Sequence, residues 1–198
     1  MVRQRMSLSA DTKEALELIR KGNLFEVIDW ISSGNKLQRP ELGSWNGLLY
    51  KAVETGFHSM VKILLEKQKW EPDDLACALA RAFQDNRVDI AELLLEYNAP
   101  TEQVGFDEVC RTMDKGLIER MLRLGVDPCN EDSGFAYALN KFKARPLLRV
   151  YRELRQEFPC LHEQASLALR QAIENQNPRW TAMLAWAGAD PWYKTESE

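Results

Sequence analysis

The chain has little of the material that catalysis or metal binding draws on. Its 198 residues include two histidines, His58 and His162, and four cysteines. Cys77, Cys110, Cys129 and Cys160 form no C-x-x-C pair, and no histidine stands at ligand spacing from them. A zinc site is therefore not expected, and the thiols read as reduced. There is no G-x-S-x-G, no H-E-x-x-H and no Gly-rich phosphate loop. No apolar run approaches the roughly 18 residues of a membrane span. The segment from Met1 to Ala10 carries charge with no apolar stretch behind it, unlike a secretory leader. A dominant charge sign is missing too. Lys and Arg number 26 against 30 Asp and Glu, a formal net charge of −4, whereas dedicated nucleic-acid binders are usually strongly basic. The expectation is a cytoplasmic, non-enzymatic chain with no cofactor, metal, small-molecule substrate or membrane partner. With 45% apolar residues, whole-chain disorder is not expected.

What is present is a period. Pro40, Pro72, Pro100, Pro128, Pro159 and Pro191 are separated by 32, 28, 28, 31 and 32 residues. Pro146 and Pro178 stand 32 apart, each 13 before a member of that ladder. Proline breaks helices, so a spacing near 30 marks one supersecondary unit per rung. Between rungs the pattern is helical and paired. A short first helix is rich in small residues, as in Leu48-Leu49 to Ala52-Val53 and Leu75 to Ala82-Phe83. A second helix has a denser apolar stripe, as in Met60-Val61 to Leu64-Leu65 and Leu117-Ile118 to Met121-Leu122. These follow the i, i+1, i+4, i+5 spacing of one helical face. Helices of about ten residues are too short to stand alone in water. They must be held by stacking. Period-two alternation is nearly absent, so strands are not expected.

At this point the chain resembles the ankyrin repeat. The last unit carries the resemblance best, with Ala172-Ile173 followed by Pro178 to Leu184 and then Ala187-Gly188-Ala189-Asp190-Pro191. Leu117 to Pro128 fits the same template, ending Gly125-Val126-Asp127. Val88 to Pro100 fits it with Asn98 in place of the helix-ending glycine. Gly22 to Gly34 and Gly56 to Glu66 are more degenerate matches. The Thr-Pro-Leu-His opening of the family is missing throughout, so short or irregular finger loops are expected. The fifth unit, Ala136 to Glu157, has no glycine at its expected end and its register stays open. The resemblance implies an all-α, ankyrin-like helical-repeat solenoid of about six helix-turn-helix units over residues 12–192, with tails at 1–11 and 193–198. A stack of generic α-hairpins is the competing arrangement.

The resemblance also implies protein–protein recognition, through the concave face that first helices and finger loops build, with a recognition module of a larger effector or enzyme as an alternative. Unit by unit, the exposed first-helix positions are expected to be Tyr50, Glu54, Arg81, Gln84, Asp107, Arg111, Arg170 and Glu174. Trp45 and Trp70, at unit boundaries, join them as candidate partner-binding residues. A boundary tryptophan either covers the edge of the stack or anchors a partner. The same choice holds for Trp192. Trp30 and Trp180 read as core, and Trp186 as exposed. Asp73-Asp74 and Glu131-Asp132 read as charges at helix starts. His162 falls in an expected loop. Cys129 and Cys160 occupy equivalent rungs, about 10 Å apart by helix packing and too far for a disulfide.

One charge run stands out in the fifth unit. Lys141, Lys143, Arg145, Arg149, Arg152 and Arg155 face only Glu153, a local +5. Arg145, Arg149 and Arg152 are spaced i, i+4, i+7 and share a face. The plain reading is a solvated outer surface. The sharper one is a patch for an acidic protein segment or for nucleic-acid phosphates.

Overall fold

The computed structural model describes residues 10–35 and 47–193. Among these the chain is helical, with twelve helices and no strand. It divides into two compact units, residues 1–103 and 104–198. Among the described residues, no helix is long and apolar enough to cross a membrane.

The first unit holds α1 (Ala10–Lys21), α2 (Leu24–Ser32), α3 (Leu48–Thr55), α4 (His58–Lys67), α5 (Pro72–Gln84) and α6 (Val88–Glu96). Helix α3 packs between α1 and α5, and α4 packs between α2 and α6. Each odd-numbered helix also packs on the even one that follows it. The small residues Ala52, Ala78 and Ala82 are fully buried along α3 and α5, with Ile19, Leu49, Leu79 and Phe83 around them. Val61, Leu64, Ile90 and Leu94 fill the space beneath α4 and α6. Burying a Leu or Ile side chain stabilises by about 1.5–3 kcal/mol, which a single turn of exposed helix cannot match.

The second unit holds α7 (Phe106–Arg111), α8 (Lys115–Arg123), α9 (Phe135–Phe142), α10 (Arg145–Leu154), α11 (Pro159–Glu174) and α12 (Pro178–Ala187). Helix α9 packs between α7 and α11, and α12 packs on both α10 and α11. An aromatic chain runs through this core. Phe106 meets Phe135 edge-on at 6.1 Å, and Phe135 meets Tyr151 at 6.4 Å. Trp180 is buried and donates its indole N–H to Asn140 Oδ1 at 3.0 Å. Asn140 in turn donates to Gln171 Oε1 at 2.7 Å, so the one polar edge of a core tryptophan is satisfied.

Proline placement accounts for four of the helix starts. Pro72, Pro146, Pro159 and Pro178 sit in the first turn of α5, α10, α11 and α12, where a missing N–H costs nothing. Two ladder prolines, Pro72 and Pro159, thus begin helices directly. Only residues 155–158 separate α10 from α11, and α11 runs for 16 residues, longer than the expected ten. His162, expected in a loop, lies in the first part of α11. The fifth pair now has a register: α9 ends at a left-handed Lys143, and α10 closes on a right-handed Arg155 that needs no glycine.

Each helix pair turns on one left-handed residue. These are Gly22, Gly56, Asn86, Met113, Lys143 and Gln176, spaced 34, 30, 27, 30 and 33 apart. Even-numbered helices α2, α6, α8 and α12 are followed by Gly34, Asn98, Gly125 and Gly188, again at positive φ. Gly188 has the strongest requirement. A Cβ there would run into Arg155 Nη1, whose guanidinium reaches the Gly188 carbonyl at 3.3 Å. Gly188→Ala is expected to cost about 2 kcal/mol, combining left-handed strain with displacement of Arg155. Gln176→Gly, at an exposed left-handed site, is expected to raise stability by about 0.5 kcal/mol. Urea denaturation midpoints measure both. Shifts of the same sign would contradict this account of the turns.

Candidate functional site

Three of the eight first-helix positions, Tyr50, Glu54 and Arg81, are occupied with one another. Tyr50 is buried at 8% exposure, and its hydroxyl accepts from Arg81 Nη1 at 3.1 Å. It was expected to be exposed; a guanidinium lying 5.5 Å from its ring centroid covers it. Arg81 also pairs with Asp85 at 2.7 Å and Glu54 at 3.4 Å. Those contacts hold the guanidinium well above its ordinary pKa, the Asp85 hydrogen bond first. Glu54, exposed, is held below the usual carboxylate range, chiefly by its hydrogen bond from Lys51. Gln84 lies exposed at the end of α5.

Asp107 departs in the same way. It was expected on the surface but is buried at 5% exposure, because Lys141 reaches across from α9 to its carboxylate at 2.8 Å. Asp107 holds the Lys141 amine above its ordinary value. Arg111 is half-buried, Arg170 donates to the Tyr193 carbonyl at 3.1 Å, and Glu174 is exposed. Trp70 is half-buried, its indole N–H donating to the Leu64 carbonyl at 3.0 Å, so it covers the end of α4. Trp45 lies outside the described residues. Two exposed apolar side chains on these helices, Tyr137 and Ile173, were not singled out from sequence.

The basic run does not form one patch. Lys141 belongs to the ion pair with Asp107. Arg155 turns inward over the Tyr151 ring and meets the α12 end at the Ala187 and Gly188 carbonyls, which suits a cation at a helix C-terminus. Arg145, Arg149 and Arg152 do stay on one exposed face of α10, and Lys143 is exposed just before it. The buried stripe of α10 is Leu147, Leu148, Val150, Tyr151 and Leu154, which leaves the arginines to the opposite side.

Helix α12 supplies the facing wall. Its buried stripe is Trp180, Leu184 and Ala187. Its other stripe, Arg179, Ala182, Met183 and Trp186, follows i, i+3, i+4, i+7 and faces outward. Between α10 and α12 lies a trough of about 370 Å³ lined by Arg145, Leu148, Arg149, Ala182, Met183 and Trp186. A second depression of about 370 Å³ adjoins it, sharing Arg145 and Met183 and adding Lys143, Asn177, Arg179 and Trp180. Trp186 is 69% exposed, and the Arg152 guanidinium stacks over its ring at 4.7 Å. That contact braces an indole that would otherwise swing freely. The sequence reading placed Trp186 on the surface. It missed Arg179, Ala182 and Met183, although the second stripe of α12 was legible from spacing.

No protein-family model and no curated protein matches the chain.

A polar cluster elsewhere in the second unit has a structural role. Tyr151 Oη lies 2.6 Å from His162 Nδ1 and donates to the Gly188 carbonyl at 3.1 Å. The imidazole also meets Tyr193 edge-on at 4.5 Å. Tyr151 is fully buried and ties α10 and α11 to the end of α12. Burial, then the Arg155 guanidinium, lowers the His162 pKa, with Asp190 opposing. Burial likewise pushes up the Cys110, Cys129 and Cys160 thiols. Among the described residues, no group of His, Cys, Asp and Glu is arranged to hold a metal ion.

The His162 cluster makes stability depend on pH. The unfolded imidazole takes a proton near about pH 6.5, and the folded one only at lower pH. The unfolded state therefore binds more protons in that window, and stability falls as pH drops through it. In His162→Gln this part of the loss is expected to vanish between about pH 7 and about pH 5. Paired denaturation curves at several pH values measure it, and a constant difference between the two proteins would contradict it. Separately, Lys141→Met leaves the Asp107 carboxylate buried without its cation and is expected to cost about 1.5 kcal/mol. The double variant with Asp107→Asn should recover part of that loss, as read from denaturation midpoints.

Proposed function

We propose that this chain is a helical-repeat binding protein, ankyrin-like in its units, that recognises another protein. The recurrence of a left-handed residue at the turn of each helix pair supports the repeat reading. So does the packing of alternate helices on one another within each unit. A regular stack of short helices presents side chains on rigid elements at fixed spacing, which suits recognition. Fold alone does not specify a partner, so the reading rests on a site.

The observation that carries it is the trough between α10 and α12. An indole exposed at 69% and braced by Arg152 borders a floor of Leu148, Ala182 and Met183. Trp and Arg are the residue types that most often dominate binding energy at interfaces. A volume of about 370 Å³ lies at the lower end of binding-site sizes, roughly 300–1,000 Å³. The first-helix face offers a second reading, favoured by exposed Tyr137 and Ile173 on α9 and α11.

Selection from a random-peptide display library against the immobilised full chain separates these. Enriched peptides are expected to bind the wild-type protein, to weaken about thirtyfold with Trp186→Ala, and to keep their affinity with Tyr137→Ala. Loss with Tyr137→Ala alone would move the site to the first-helix face. No enrichment above an unrelated control protein would sink the recognition reading. Trp186 is exposed, so its truncation leaves folding intact, as circular dichroism would verify.

A further inference from the structure

We infer that the trough between α10 and α12 takes an acidic protein segment that carries one bulky apolar residue. This rests on the recognition reading above and names the chemistry of the partner at that same site. The side chains lining the two adjoining depressions include Lys143, Arg145, Arg149 and Arg179, and no acid. None of these four cations forms an ion pair with any of the described residues. The field of Arg149 does reach Glu153, but the Glu153 carboxylate is bound by Lys115 at 2.7 Å. Of the other cations on the same run, Lys141 has Asp107, Arg155 has the α12 carbonyls, and Arg152 lies over the Trp186 ring at the edge of the trough. Positive charge without a counter-charge is thus concentrated at this trough, on a chain whose formal net charge is −4.

Helix geometry adds to it. Arg145 and Pro178 begin α10 and α12, and Lys143, Arg145, Asn177 and Arg179 line the same depression. The positive ends of two helix dipoles therefore lie beside three of the four cations, Lys143, Arg145 and Arg179, reinforcing attraction for carboxylates.

The floor decides between kinds of anion. Ala182, Met183 and the Trp186 ring offer apolar surface above the buried Leu148, which favours an aliphatic or aromatic side chain. Phosphates gain nothing from such a floor; one indole can stack a single base, but the aliphatic Ala182 and Met183 beside it suit a peptide side chain, and the net negative charge of the chain opposes a long polyanion. Each helix has 10 residues and so is about 15 Å long. An extended segment of about five residues spans that length. Its apolar residue rests against Met183 and Trp186, and its carboxylates meet Arg145 and Arg149 in the fork geometry that guanidinium groups favour.

The test titrates the full chain into a fluorescein-labelled synthetic peptide with a Leu-Phe pair flanked on both sides by Asp and Glu, read by polarisation. Three comparison probes are used: the same peptide with Ser-Ser at the centre, the same peptide with Asn and Gln for its acids, and labelled single-stranded oligothymidylate. The acidic Leu-Phe peptide is expected to bind, and to weaken as salt rises. It should bind about tenfold tighter than the Ser-Ser version. The double variant Arg145→Glu, Arg149→Glu is expected to lose about tenfold in affinity, while Arg149→Lys, which keeps the charge and loses the fork, is expected to lose only about threefold. Both positions are exposed, so these variants fold. Equal binding of the Leu-Phe and Ser-Ser peptides would overturn the inference, as would no loss on charge reversal. Tighter binding of oligothymidylate at equal salt would assign the trough to nucleic acid. If display-selected peptides bind at Trp186 but the acidic probe does not, this inference falls and the recognition reading stands. If neither binds, both fall.

Discussion

Short helices cannot hold themselves, and that constraint organises everything else in the molecule. A helix of six to sixteen residues, the range found here, forms too few backbone hydrogen bonds to offset its nucleation cost. Each must bury an apolar stripe against the helices before and after it. Within the first unit this gives α1, α3 and α5 packed in sequence, and α2, α4 and α6 packed likewise. Small side chains at Ala52, Ala78 and Ala82 permit the close approach. The rest of the architecture serves to bring these stripes into contact at short chain cost. Left-handed turn residues reverse the chain within two or three positions, and prolines start helices without wasting a donor.

Stacking in this manner also decides which charges are available for recognition. Side chains on successive first helices sit within reach of each other, so opposite charges find one another. Arg81 meets Glu54, and Lys141 meets Asp107, across residue separations of 27 and 34. A surface that reads as an open row of polar residues becomes a row of satisfied pairs. On α10 and α12 the opposite holds. Arg145 and Arg149 of α10 and Arg179 of α12 form no ion pair among the described residues, and no acid lines the depressions they border. Their charge stays available, beside apolar side chains that the core had no room to take in. This contrast between consumed and unconsumed polarity is what directs attention to the trough.

Polar groups inside the second unit hold it in one arrangement. Asn140 joins Trp180 to Gln171, and Tyr151 joins His162 to the end of α12. Arg155 closes the same helix end from another side. An apolar core of comparable volume would be as stable, yet it would tolerate small slips between helices. Hydrogen bonds tie α10, α11 and α12 in register, and the trough between α10 and α12 keeps its shape as a result.

Much of this was legible in the chain itself. The helical class, the pairing of helices and the helix-ending positions of Gly34, Asn98, Gly125 and Gly188 follow from local chemistry: apolar spacing, helix breakers and the residues that tolerate positive φ. The core positions of Trp30 and Trp180 and the exposure of Trp186 came from the same spacing. Local pattern does not reveal which side chains from distant segments meet. Tyr50 and Asp107 occupy helical positions that read as outward, and neighbours 31 and 34 residues away cover them. Lys143, Met113 and Gln176 adopt positive φ against their own preference, because packing of the flanking helices outweighs about 1 kcal/mol of local strain. The six-cation run is one feature along the chain and three in space: an ion pair, a helix cap and a trough wall. Sequence alone determined that the chain forms short paired helices and where most of their apolar stripes run. Only the tertiary structure decided which charges are neutralised, because that depends on distances between residues that spacing along the chain does not contain.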